Sequence, residues 1–226
     1  MESYFDKFVL AGGIMMLFLI PTSIIAIALI IHGLIDLRRE HVMPEAVREA
    51  FQGKGGEAPS LDERRERLER APECPLRRVC LRMLAWAGTK DEAWDLTVQQ
   101  VASEEIASLY QRHAYLSVVY GVAPLMGLLG TILGMIRAFT VFGSTDDRSI
   151  SQLGLGISEA LITTMWGLII AVPALLFVSL FRQKIYRYEN DQIPRAVREL
   201  FAGIGTRAPV VVAPENEALV SVAKEQ

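Results

Sequence analysis

Ile150-Ser151-Gln152-Leu153-Gly154-Leu155-Gly156-Ile157-Ser158-Glu159-Ala160-Leu161-Ile162-Thr163-Thr164-Met165-Trp166-Gly167-Leu168 begins a run that continues to Phe181 with one charged side chain, Glu159. The nearest charges before it are Asp147 and Arg148, and the next after the run is Arg182. A helix of about 20 apolar residues crosses the hydrocarbon of a bilayer, so this run is a membrane span with length to spare. Glu159 then lies within, or just below, the outer edge of the hydrocarbon. A charge at the centre of a spanning helix costs roughly 2.5–3.5 kcal/mol, and less toward its ends. Such a residue faces a partner or a water-filled cavity, and by default it marks an ion or proton path.

Two more stretches are nearly free of charge, Phe8–Ile35 and Ala114–Phe142. They explain how 226 residues can be 51% hydrophobic and still 22% charged: the two classes are segregated along the chain. The first stretch is not read as a signal peptide. It follows Glu2 and Asp6 rather than a basic segment, it is too long, and no small-x-small cleavage site follows Ile35. The fold class is therefore an all-α integral membrane protein with three transmembrane helices, 8–35, 114–142 and 150–181.

Lys and Arg set orientation. Arg38 and Arg39 follow the first span, Arg112 precedes the second, and Arg182, Lys184 and Arg187 follow the third. The other side has Lys7 and Arg148, offset by Glu2, Asp6, Asp146 and Asp147. This places residues 1–7 and the loop 143–149 on the outer side. Residues 36–113, a cytoplasmic helix 182–203 and a mobile tail 204–226 lie on the inner side. The N-terminus is expected out and the C-terminus in.

The cytoplasmic part reads as short helices with clear breaks. Pro44 starts one that runs to Phe51, and Gly53–Gly56 breaks it. Ser60 is an N-cap ahead of Asp62 and Glu63, and that helix ends before Pro72 and Pro75. A further segment covers Leu76–Ala87. Thr89 and Glu92 form a capping-box pattern. The helix they start has no Pro or Gly until Gly121 and is expected to run into the second span as far as Phe142, about 80 Å. The third span similarly extends through Arg182 to Asp191, with a break expected near Pro194. Helices 2 and 3 thus reach into a cytoplasmic helical domain.

No Gly-rich phosphate loop, nucleophile elbow or zinc-protease motif is present, and His32, His41 and His113 are scattered. Nothing here reads as an enzyme, and no cofactor or metal is expected. No basic patch interleaved with aromatics suggests nucleic acid. Cys74 and Cys80 lack companions for a metal and read as partly buried helix residues.

Gly127, Gly130 and Gly134 on the second span, and Gly156, Ala160, Thr164, Gly167, Ala171 and Ala174 on the third, are small residues at helical spacing. They let backbones approach closely, and the contact is expected between subunits. Pro124 and Pro173 lie inside the spans and favour kinks. Thr131 and Thr164 are candidate polar groups for a water path. Glu159 and Thr164 are about 140° apart around the helix, so which of the two faces a lumen stays open. Arg137 lies about 9 Å beyond Thr131 toward the outer face. It either snorkels to the interface or contacts Glu159 or a partner carboxylate.

The run Val122-Ala123-Pro124-Leu125-Met126-Gly127-Leu128-Leu129-Gly130-Thr131-Ile132-Leu133-Gly134-Met135-Ile136 resembles the second-helix signature of the ExbB/TolQ/MotA proton-channel family. Gly156–Leu168, followed by Ala171-Val172-Pro173-Ala174, resembles its third-helix signature. Three spans are nearer the ExbB and TolQ branch than the four-span flagellar members. The resemblance implies a stator subunit of the bacterial inner membrane, with residues 1–7 and the loop 143–149 periplasmic: a pentamer whose helices 2 and 3 line a pore. That pore holds a dimer of a single-span ExbD/TolR-type partner, whose membrane Asp carries protons. Glu159 would match the family's third-helix Glu, and Thr131 and Thr164 its pore threonines. Arg137 and Trp166 depart from the usual pattern. The competing reading is a passive membrane scaffold in which Glu159 is structural, favoured by a helix start or paired with Arg137. A small-solute transporter is disfavoured because no inverted repeat or matched pair of broken helices is evident.

Overall fold

The computed structural model describes residues 13–52, 59–85, 93–144 and 150–202. The chain is all α among these residues. A single 3-10 turn, Gly13–Met15, leads into α1, Met16–Asp36. Four short helices follow: α2, Arg39–Val42; α3, Glu45–Glu49; α4, Leu61–Arg70; and α5, Pro75–Leu84. Two long ones come next, α6, Ala93–Ser144, and α7, Ile150–Arg187. A π-turn, Tyr188–Gln192, then joins α7 to α8, Ile193–Phe201. Among the described residues, three helical stretches are long and apolar enough to cross a membrane: Gly13–Asp36, Trp94–Thr140 and Leu153–Phe201.

The chain divides into two compact units. The first holds residues up to Arg38 together with 108–186. Its core is Met16, Leu19 and Ala26 of α1 packed with Ala123 of α6 and Ile170 and Ala171 of α7. Val119, Met126 and Trp166 close around them. Large apolar side chains elsewhere on these helices stay exposed, among them Ile24, Leu125, Ile136, Leu161, Leu168 and Leu176. That inversion is what a helix surface in lipid requires. Pro124 and Pro173 sit inside α6 and α7, and Pro21 inside α1.

The small residues of α6 and α7 face one another in antiparallel register. A Cβ placed on Gly134 would lie 2.8 Å from the Ala160 Cβ, and one on Gly156 would lie 2.5 Å from the Ala138 Cβ. One on Gly167 would lie 2.7 Å from the Ala123 carbonyl oxygen and 3.1 Å from the Gly127 Cα. The contact expected between subunits is therefore a contact within the chain. Short-range packing needs bare backbone somewhere, and here the chain's own two long helices use it.

The second unit comprises residues 39–107 and those from 187 onward. It is a small helical core, with Val47, Leu68, Leu76, Val79, Met83, Val98, Ala102, Ile106, Tyr188, Ile193, Val197 and Phe201 buried. Phe201 stacks at a tilt on Phe51 and Trp94, with centroids 5.2 and 5.5 Å away. Ser60 and Glu63 make the expected capping box. Pro44 stands at the N-cap of α3 rather than inside it. Cys74 is not a helix residue as expected. It is the N-cap of α5, its sulfur accepting from the Arg77 amide at 3.3 Å, while Cys80 is fully buried within α5.

The break expected near Pro194 is absent. Proline lacks an amide hydrogen and crowds the carbonyl four residues earlier, here that of Asn190. The wider π-turn over Tyr188–Gln192 takes up that conflict, and the coil continues directly into α8. The N-terminal segment 1–7, the Thr89 cap, most of the loop 143–149, and the helix stop at Gly203 with the tail 204–226 lie outside the described residues.

Candidate functional site

Glu159 sits on the third turn of α7, where Gly156 and Ala160 bring that helix against α6. Its carboxylate is about one-third exposed, at 32%. The Glu159 Oε1 lies 3.7 Å from Nη1 of Arg137, which projects from α6 and is 58% exposed. That spacing is too long for a hydrogen bond and short enough for a direct Coulomb pair. Of the two readings of Arg137, contact with Glu159 is the arrangement found. On a second side, the carboxylate rests against Gly13 at the start of the first span.

The two threonines are not brought together. The Thr164 Oγ1 donates across the helix pair to the Gly127 carbonyl at 3.0 Å. Thr131 turns back on its own helix, donating to the Leu128 carbonyl at 2.6 Å. It borders a shallow groove on α6 with Ile132, Met135, Ile136, Phe139 and Thr140. Thr140 also bonds back, to the Ile136 carbonyl at 2.8 Å. Glu159, Thr131 and Thr164 therefore occupy three settings: an ion pair, an open groove and a helix seam.

Thr163 was missed. It is 1% exposed, donates to the Ala160 carbonyl at 2.7 Å, and carries the contact with Gly130. A Cβ on Gly130 would lie 2.7 Å from the Thr163 Cβ. The signal was present in the spacing. Gly156, Ala160, Thr163, Gly167 and Ala174 repeat at four, three, four and seven, a closer fit to one helix face than a stripe through Thr164. Gly13 was missed as well, because nothing in a glycine's identity shows what lies against it.

Trp166 packs beside the core of α1, α6 and α7, and its Nε1 is buried with no hydrogen-bond partner among the described residues. The large ring there fills space between the first span and the helix pair. At the other end of the first unit, His113 places its Nδ1 2.7 Å from the Leu109 carbonyl and lies edge-on to Phe181, centroids 5.3 Å apart.

Residues 69–192 match the family described as the MotA/TolQ/ExbB proton channel family. A biopolymer transport protein of Synechocystis sp. designated ExbB-like 3 is 31% identical over 185 residues, covering 79% of this chain and 85% of that protein. The Tol-Pal system protein TolQ of Haemophilus influenzae is 34% identical over 89 residues, 39% of each chain. The biopolymer transport protein ExbB of Salmonella typhimurium is 31% identical over 77 residues, 34% of this chain and 32% of that one.

Proposed function

The chain belongs to the MotA/TolQ/ExbB proton channel family, and from that premise we propose that it is the stator subunit of a motor driven by the proton-motive force. It is a multi-pass membrane protein of the proton-channel type. In the proposed reading, copies of the chain assemble around a pore, five by family resemblance. A dimer of a single-span ExbD/TolR-type protein occupies that pore. Protons pass by way of an Asp in the partner helix and Glu159, and the movement does work on the cell envelope. Thr131 and Thr164 support the path, Thr131 as one of two hydroxyls in an open, mostly apolar groove and Thr164 by holding α6 to α7.

The observation that carries this reading is a half-buried carboxylate in a spanning helix, on the family's matched segment, with one long cation contact. Among the described residues Arg137 is its charged contact, and an ionisable side chain within a spanning helix by default marks an ion or proton path. The scaffold reading has its own observation, the Arg137 pair itself. Glu159→Gln separates the two. It is nearly isosteric and keeps the helix contacts, so the variant is expected to assemble at wild-type size in native membranes. Proton flux through the reconstituted complex, and the work driven by it, are expected to vanish. Full flux in Glu159→Gln would make the residue structural and leave the scaffold.

A further inference from the structure

We infer that Gly13 is a positioning residue for the Glu159 carboxylate, an inference that takes Glu159 as the proton-exchanging group. Gly13 is the only residue with positive φ among the described residues, at +60°. It begins the 3-10 turn that leads into α1. That backbone conformation favours glycine, and the space around it makes the same demand. A Cβ placed there would overlap the Glu159 Oε1 and lie 3.0 Å from its Cδ and 3.6 Å from its Cγ. All three nearest atoms belong to this one side chain.

The other glycines of the first unit differ. Gly127, Gly130, Gly134, Gly156 and Gly167 meet backbone or the short side chains of a neighbouring helix, Gly33 meets the rings of Phe181 and His113, and Gly121 and Gly154 meet nothing within 4 Å. Among the described glycines only Gly13 meets a carboxylate. With Arg137 3.7 Å from the same Oε1, the acid is held between a bare Cα from the first span and a guanidinium from α6. Glu159 is the flexible partner in this contact. A side chain at position 13 therefore displaces the carboxylate rather than unpacking the helices. The first span, which the pore reading leaves without a role at the acid, sets where that acid sits.

The contact is tested in the whole assembly in its native membranes. Gly13→Cys with Glu159→Cys is expected to form a cross-link within one chain, read as a linked peptide by mass spectrometry. Dicyclohexylcarbodiimide, which modifies membrane carboxyls, reports the acid itself. Gly13→Ala is expected to raise modification at position 159 while the assembly keeps its size. Gly13→Asn, whose side chain tolerates the left-handed conformation, is expected to do the same, which separates side-chain contact from backbone strain. Glu159→Asp draws the carboxylate back by one methylene, so in that background Gly13→Ala is expected to change modification by less than about twofold, as independent sites do. Proton flux in Gly13→Ala is expected to fall at least about tenfold, as misplacement of a reacting group by an ångström does. No cross-link, unchanged modification in Gly13→Ala, or an equal change in the Glu159→Asp background would each overturn the inference. Cross-linking and modification do not depend on proton flow. If Glu159→Gln kept full flux, the proton reading would fail while these two measurements still judged the contact.

Discussion

Thr164 gives its hydroxyl to the Gly127 carbonyl of the facing helix, 3.0 Å away, whereas Thr131 returns its hydroxyl to Leu128 on its own helix. Sequence treats the two as a pair, yet their energetic roles differ. An interhelical hydrogen bond inside a membrane contributes about 0.6 kcal/mol on average and up to about 1.7. Thr164→Val is nearly isosteric and removes that bond, so it is expected to destabilise the folded chain by an amount in this range. Thr131→Val removes only a local bond at a partly open position, and its effect on stability is expected to stay within about 0.5 kcal/mol. Its effect on proton flux is expected to be the larger of the two relative to its effect on stability, because only Thr131 borders the open groove. Denaturation in mixed micelles followed by far-ultraviolet circular dichroism gives the first quantity, and flux in proteoliposomes the second. Equal destabilisation by the two variants would show that the seam hydrogen bond contributes nothing particular.

At the scale of elements, the α6–α7 pair is fastened by absence of side chains. Gly130 faces a Thr163 that is wholly buried and has no room to retreat. Gly130→Ala is therefore expected to cost about 1–3 kcal/mol, the usual range for overpacking. Gly121 lies on the same helix with nothing within 4 Å. There the same substitution is expected to be neutral or to stabilise by up to about 1 kcal/mol through helix propensity. The two variants compared in one denaturation assay check the claim, and equal behaviour would refute it. The long helices were legible from sequence because charge-free runs of this length have one physical solution in lipid. The Ser60 cap was legible because its partner Glu63 stands at a fixed offset. What the small residues touch was not legible. A glycine stripe fits a partner chain or the chain's own next helix equally well, and only three-dimensional register decides. The π-turn escaped for a related reason: Pro194 announces a conflict with the preceding turn but not how the backbone resolves it. Glu159 could be found from its charge, while Gly13 could not, since the two are joined only by the fold.

For the whole molecule, the unequal distribution of Lys and Arg predicts an orientation, and with it the direction in which protons would approach Glu159. By the positive-inside rule the end of α6 at Ser144 is expected outside and α2–α5 inside. Thiol labelling can test this without first removing the native cysteines. Cys74 and Cys80 are both buried. Burial pushes both thiols above their ordinary value, Cys80 much further than Cys74, where the neighbouring Arg77 amide and Arg78 charge partly oppose the shift. The sign follows from this. A raised thiol pKa keeps the reactive thiolate scarce at pH 7 and postpones its appearance to more alkaline pH. The wild-type chain is therefore expected to stay unlabelled by an impermeant maleimide at pH 7, in intact cells and in permeabilised ones alike. Ser144→Cys is expected to label in intact cells. Glu66→Cys replaces a carboxylate that is 61% exposed on α4 and, among the described residues, forms a surface pair with Arg70. Such a pair contributes about 1 kcal/mol at most, so the fold should tolerate the change. This variant is expected to label only after the membrane is opened. The opposite pattern would invert the topology, and Glu159 would then lie toward the cytoplasmic rather than the outer face of the bilayer.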